Sequence, residues 1–256
     1  MKQYVITPAA GKRLIGKAVA IHPAVKQVIK SGTLVIIAGT TNGYAAEEIL
    51  KSIGDTGDFK RDRFFRGITL APSGPASGTG RLADQRGFPG DVVIVDGKRI
   101  QEKTIFDVAD GLKEGDVILK GANAVDVVGR RAGILRGHPK GGTIAAALQA
   151  VTGKRVKLIL PVGLEKRVNA DLDAIAETLN SPGARGPRFW PVPGEVVTEL
   201  QAVSLLTGAT AELTAAGGVG GAEGSVWLAV TGTPEEEEAA GTLLGEIIEE
   251  PLFFPE

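Results

Sequence analysis

The chain has no cysteine and only two histidines, which excludes disulfides, thiolate metal centres and a His-rich metal site. His22 and His138 stand too far apart in sequence to hold a metal from one helix. There is no basic excess either. Lys and Arg number 29 against 30 Asp and Glu, a net charge of −1, which does not suggest nucleic acid as a partner. No apolar run approaches the ~20 residues of a membrane span, and the opening residues, Met1 to Pro8, lack the long apolar core of a signal peptide. No internal repeat of fixed period is present. The expectation is a cytoplasmic protein with no metal, no cofactor, no membrane and no nucleic acid among its partners.

What is there is a glycine-rich, apolar chain: 256 residues, 36 of them glycine, 43% hydrophobic. That is enough for one large domain, or one domain with a smaller companion. Residues 34–37 form an unbroken apolar run, as expected of a strand covered on both faces of a parallel sheet. It runs into Gly39-Thr40-Thr41-Asn42-Gly43 and then a helical pattern over 44–53. A helix start at the carboxyl end of a central strand is an anion site by geometry, because free N–H groups and the helix dipole point at it.

Elsewhere the pattern predicts helix over 8–30, broken at His22-Pro23, because proline disfavours helix in the residue before it. A short strand is expected at 67–70 and a loop over 71–80. Asp96-Gly97 predicts a tight hairpin turn within 91–100. Core strands are expected at 117–120 and 156–160, a helix at 143–151, and another from Asn169 to Leu179. The Pro- and Gly-rich stretches at 181–187 and 191–194 place a boundary, giving domains 1–190 and 191–256. The second reads strand, helix, strand, strand, helix, which is ferredoxin-like order. Thr233 and Glu236 form a capping-box pattern at its last helix.

Several segments have the chemistry of a site. In an open α/β sheet, ligands sit outside the carboxyl ends of the strands. There Lys120, Gly121, Asn123 and Asp126 would face the same crevice as Gly39, Thr40, Thr41 and Asn42. Lys140-Gly141-Gly142 opens a helix of small residues, with Arg130, Arg131, Arg136 and His138 just upstream, and suits a small anionic substrate. Each segment also reads as an ordinary turn or solvated loop. Gly11 to Ala18 nearly matches a nucleotide phosphate loop, but Ala18 stands where a hydroxyl should hold magnesium, and a chance match is expected. Lys60 to Arg66 reads as a solvated face anchored by Phe64 and Phe65, and 217–221 as a hairpin tip.

In this order the segments resemble ribose-5-phosphate isomerase A and, more broadly, its relatives among glucosamine-phosphate isomerases, CoA transferases and the sugar-sensing domains of bacterial repressors. Gly39-Thr40-Thr41-Asn42 is similar to the phosphate-contacting Gly-Thr-Gly-Ser-Thr loop, Lys120-Gly121-Ala122-Asn123 to the Asp-Gly-Ala-Asp segment, and Lys140-Gly141-Gly142 to the Lys-Gly-Gly-Gly segment. The resemblance implies a Rossmann-like, mostly parallel α/β domain followed by a smaller ferredoxin-like α+β domain, and self-association into a homo-oligomer. It also marks where this chain departs. Gln149 stands where the isomerase has its glutamate base, and Lys120 and Asn123 replace two aspartates.

The expected function is binding of a small anionic metabolite of the sugar-phosphate class, with isomerase-like chemistry carried by altered groups. Asp126 would move the proton and Lys140 would steady the enediolate oxygen. Two rivals stand beside it: a non-catalytic ligand sensor or assembly subunit, and acyl or CoA transfer through a glutamate nucleophile, for which Glu165 is the nearest candidate.

Overall fold

Proline sets the first break. In the computed structural model, which describes residues 1–55, 57–66, 69 and 90–253, the opening helical stretch splits as predicted at Pro23. His22 cannot continue the first helix, and its Nδ1 instead accepts from Ala24 N–H at 3.2 Å to cap the second. The strand expected at 67–70 (Thr69 apart) and the loop at 71–80 lie outside the described residues.

In chain order the elements are β1 (Lys2–Ile6), α1 (Pro8–Ile21), α2 (Pro23–Lys30), β2 (Thr33–Ile36), α3 (Thr40–Ser52), β3 (Val92–Val95), β4 (Lys98–Ile100), α4 (Ile105–Val108), β5 (Val117–Leu119) and β6 (Ala124–Asp126). They continue with β7 (Arg131–Arg136), α5 (Gly142–Lys154), β8 (Lys157–Pro161), α6 (Leu172–Asn180), β9 (Arg188–Val192), β10 (Glu195–Val197), α7 (Glu199–Thr207), β11 (Thr210–Gly217), β12 (Ser225–Thr231) and α8 (Pro234–Ile247).

The class is α/β. A six-stranded central sheet runs β10-β8-β5-β2-β3-β4, with two three-stranded sheets, β1-β12-β11 and β6-β7-β9. β10, β8, β5 and β2 are parallel, while β3 and β4 join antiparallel, so the sheet is mixed. The hairpin between β3 and β4 turns at Asp96 and Gly97, both at positive φ, the geometry for which that dipeptide is suited.

The two faces of the sheet bury alternate residues of the same strand. Leu34 and Ile36 join the larger core with α1, α3 and α7; Val35 and Ile37 join a second core with α4 and α5. Apolar runs at both central strands are therefore explained by double coverage. On the first face α1 and α3 lie very close. A Cβ on Gly16 would sit 2.8 Å from the Tyr44 carbonyl carbon. We expect Gly16→Ala to destabilise the chain by about 1–3 kcal/mol in a denaturant titration, because the neighbour is backbone and cannot turn aside.

The second unit departs from the ferredoxin-like expectation. Glu195–Val197 pairs in parallel with β8 in the central sheet, and β1, from the far end of the chain, pairs with β12 in its stead. Such pairing is non-local, and the order of elements along the chain does not specify it. The small sheet is thus β11, β12 and the N-terminal strand, flanked by α7 and α8. The capping box at Thr233 and Glu236 forms as predicted. The helix expected from Asn169 starts two residues later, because Asp171 accepts from the N–H groups of Asp173 and Ala174 and caps it. β6, β7 and β9 were not predicted, and they make the third sheet from segments read as binding loop and linker.

Candidate active site at the carboxyl edge of the central sheet

Parallel pairing of β2 with β5 and of β5 with β8 puts the ends of those strands side by side, about 4.8 Å apart. Two of the three predicted loops therefore meet. Ile37 N–H donates to Leu119 O at 3.0 Å. Asn42 Nδ2 donates to Ile37 O at 2.7 Å and Leu119 O at 3.1 Å, tying the Gly39 loop to the Lys120 loop. Asn42 is fully buried. The helix starts earlier than its sequence pattern indicates, so Thr40, Thr41 and Asn42 are its first turn rather than a loop before it. Gly39 at the N-cap supplies no side-chain acceptor, and Thr41 Oγ1 and Asn42 Oδ1 are buried without a hydrogen-bond partner. Removing both Asn42 bonds should cost about 2 kcal/mol. Asn42→Ala should therefore lower the denaturation midpoint and, by freeing the Gly39 turn, speed its amide exchange.

The third predicted loop sits differently. Lys140 is exposed, with its N–H donating to His138 Nδ1, and Gly141 and Gly142 lead into α5 with positive φ. Asp126 ends β6, where its carboxylate accepts from Gly129 N–H at 2.9 Å. Asn123 Oδ1 accepts from Leu135 N–H, and Gln149 is exposed on α5. Among the described residues no hydrogen bond or ion pair joins Asp126 or Lys140 to each other, to Lys120 or to Thr40–Asn42.

The most perturbed chemistry lies along the sheet's carboxyl edge. Lys120 has an amine surrounded by protein, although the residue keeps some accessible surface, and burial pushes it down to about 8. Asp91 is the carboxylate that opposes this shift, but its oxygens are already engaged. They accept from Ala38 N–H and Arg66 Nη2, each at 2.9 Å, and from Ile105 N–H at 2.8 Å. Among the described residues Lys120 has no ion pair.

Next to it, the residues after β8 and β10 bring two glutamates together. Glu199, first residue of α7, is 2% exposed and accepts from Leu164 N–H at 2.9 Å. Its other oxygen lies against Gly11 of α1, where a Cβ would come within 2.3 Å of it. Burial, and then the charge of Glu165, push its carboxyl up to about 8, so it keeps its proton at neutral pH. Glu165 lies 3.7 Å from Lys12 Nζ and 3.9 Å from Lys166 Nζ. Burial holds the Lys166 amine down. Glu165 also borders an open cavity of about 540 Å³, lined by Arg167, Asn169, Ala216, Gly217 and Gly224. Of the hairpin tip expected at 217–221, Gly217 lines this cavity.

Glu165 was a candidate in the sequence; Lys12, Lys166, Asp91 and Glu199 were not. Gly11 to Ala18 lies inside α1, so no phosphate loop forms there, yet Lys12 reaches the site from that helix. Glu199 follows the N-cap Thr198 and reads as an ordinary acidic first-turn residue. No helix among the described residues is long and apolar enough to cross a membrane. No known protein family, curated protein or solved structure matches this chain.

Proposed function

We propose that this chain binds a small anionic metabolite, of the sugar-phosphate class, at the carboxyl ends of β2, β5 and β8, and acts there as an isomerase-like enzyme with substituted groups. One observation carries the reading. Lys120 presents a largely enclosed ammonium with no ion pair among the described residues, beside a helix N-terminus that lacks a side-chain cap and has an unsatisfied hydroxyl. An ammonium held this way is expensive unless something anionic meets it, and the N–H groups of α3 favour the same charge.

The proposal moves two roles from their sequence-based assignment. Lys120 takes the cation's part in place of Lys140, and Glu165 the carboxylate's part in place of Asp126. Isomerisation needs a carboxylate to take a proton from the carbon beside a carbonyl and return it to the neighbouring carbon, while a cation steadies the enediolate oxygen. Glu165 is the carboxylate at a cavity, and the protonated Glu199 lies behind it. In this reading the central sheet is a Rossmann-like unit with a smaller α+β companion. The protein is a cytoplasmic homo-oligomer, a divergent relative of ribose-5-phosphate isomerase A.

A second reading has its own support. Glu165 sits on the cavity wall between two lysines, and a carboxylate can act as a nucleophile in acyl transfer. Its carboxylate oxygen would attack a thioester carbonyl, and the thiolate would leave. Mass-spectrometric capture of an acyl adduct on Glu165 would select this reading over the first.

The test is a thermal-shift panel of inorganic phosphate, pentose phosphates and hexose phosphates, with aldose–ketose turnover followed in parallel. A ligand at one hundred times its Kd should stabilise the chain by about 2.7 kcal/mol. Stabilisation with turnover supports the isomerase reading. Stabilisation without it makes the protein a ligand sensor. If no anion moves the melting curve, the proposal fails.

A further inference from the structure

We propose a second anion site, on the third sheet: Arg136 of β7 and Arg188 of β9 form a two-guanidinium clamp for the phosphate group of a small phosphate ester, with Trp190 at its side. The proposal does not rest on the function given above, and it takes up the basic segment that function leaves unused.

Strand alternation puts the three side chains on one face. Arg136 shares its side of β7 with Ala132 and Ile134, and Arg188 and Trp190 share theirs with Val192 of β9. Ala132, Ile134 and Val192 are buried in the core beneath α5. Arg136, Arg188 and Trp190 lie where that face leaves the core. The register sets Arg136 directly opposite Arg188 and Ile134 opposite Trp190.

Like charges directly opposite each other destabilise a sheet, and nothing nearby relieves this pair. Among the described residues neither arginine has an ion pair, and neither do Arg185 and Lys140. Each guanidinium is nevertheless held in place. Arg136 Nη2 donates to Phe189 O at 3.3 Å, and Arg188 Nη2 donates to Gly137 O at 3.0 Å, so each reaches across to the other's strand or its extension. The Arg136 guanidinium also lies 4.8 Å from the Trp190 ring centroid, and its Nε is buried with no acceptor. Burial, and then Arg188, hold its affinity for the proton below the ordinary value. Two planar forks, fixed in place and lacking a counter-ion, match the oxygens of a phosphate. His138 and Lys140, exposed in the connection to α5, extend the positive potential.

The size of the patch favours a small ester over a polynucleotide. At the other end of β7, Arg131 is already paired with Asp173 at 2.9 Å and lies 3.8 Å from Asp171. Arg131 also lies on the opposite face from Arg136, whose own face continues into the buried Ile134 and Ala132, so no basic track of the kind a nucleic-acid strand follows continues there.

Trp190 supplies the readout. The chain has two tryptophans, so a Trp227→Phe background isolates its emission. That protein would be titrated with inorganic phosphate, with a pentose phosphate and with a short oligothymidylate, each against chloride at matched ionic strength. The expected result is a saturable emission change with the two phosphates. It should weaken by roughly tenfold or more in Arg188→Met, equivalent to at least 1.4 kcal/mol, and only in part in Arg188→Lys, which keeps the charge without the fork. Lys120→Met should leave the response intact, separating this site from the one at the central sheet. The melting temperature of Arg188→Met should not fall, since a repulsion is removed; a purely structural arginine would lower it. Three results would overturn the proposal: a change that chloride reproduces, unaltered phosphate affinity in Arg188→Met, or oligothymidylate binding far more tightly than either phosphate.

Discussion

In an Arg188→Met background, which removes the second anion site, Lys120→Met should abolish the stabilisation by phosphate-bearing ligands and, at the same time, make the unliganded protein more stable. The two effects have one cause. The Lys120 amine is pushed from its ordinary 10.5 to about 8 by burial, a differential on the order of 3 kcal/mol at neutral pH. Methionine fills a similar volume without the charge, so a gain of about 2 kcal/mol is expected, or roughly 4–8 °C in Tm for a chain of this size. The pH dependence gives a further check. Because the folded-state value is depressed, the unfolded chain binds the extra proton between about 8 and 10.5, and stability due to this group rises with pH across that window. The variant should lose that rise. A lysine kept only for structure would give the opposite result, with lower stability on replacement and an unchanged ligand response.

Glu199→Gln should produce the largest pH-dependent difference. The glutamate is raised from 4.5 to about 8 in the folded chain. The stability tied to its proton is therefore fully present below about 4.5 and is lost as pH rises through 8. Glutamine keeps an oxygen to accept from Leu164 N–H and cannot ionise. The variant and the parent should have similar stability near pH 4. By pH 8 to 9 the variant should be more stable by several kcal/mol, on the order of 4. Urea titrations at a series of pH values measure this difference. If the two curves run parallel from pH 4 to 9, Glu199 ionises normally and the Glu165–Glu199 pair loses its part in the site. If Glu199 serves the chemistry as proposed, the same variant should also lose turnover while keeping its phosphate-induced stabilisation.

These expectations come from features of unequal visibility in the sequence. The break at Pro23, the Asp96-Gly97 turn and the Thr233–Glu236 capping box are legible because their causes lie within a few residues. The doubly covered central strands are legible because Leu34 to Ile37 and Val117 to Leu119 have no polar face. β9 was hidden by Pro191 and by the Pro- and Gly-rich stretches flanking it, which read as a linker. Its pairing with β7 depends on Phe189 covering Gly133, where a Cβ would come within 2.0 Å of the ring. β10 is a recognisable strand, but nothing in Glu195-Val196-Val197 says that it adds to β8 rather than to β11 and β12. The site shows the same division. The Gly39 and Lys120 loops could be placed together because adjacent parallel strands end together. Glu199 could not be found, because its burial is made by Gly11 from α1 and by the backbone of Leu164 after β8. Lys120 is visible as a lysine, but its lack of an ion pair among the described residues is not, since that depends on Asp91 being engaged by Arg66, Ala38 and Ile105.

Anomalous diffraction from a crystal soaked in selenate, an oxyanion of phosphate-like shape with a strong selenium signal, tests the central claim most directly. The account predicts a peak at the first turn of α3, within hydrogen-bond reach of the Thr40–Asn42 N–H groups and of Lys120 Nζ. Density at other basic surfaces of the molecule, the Lys140 loop included, with none beside Lys120 would contradict it.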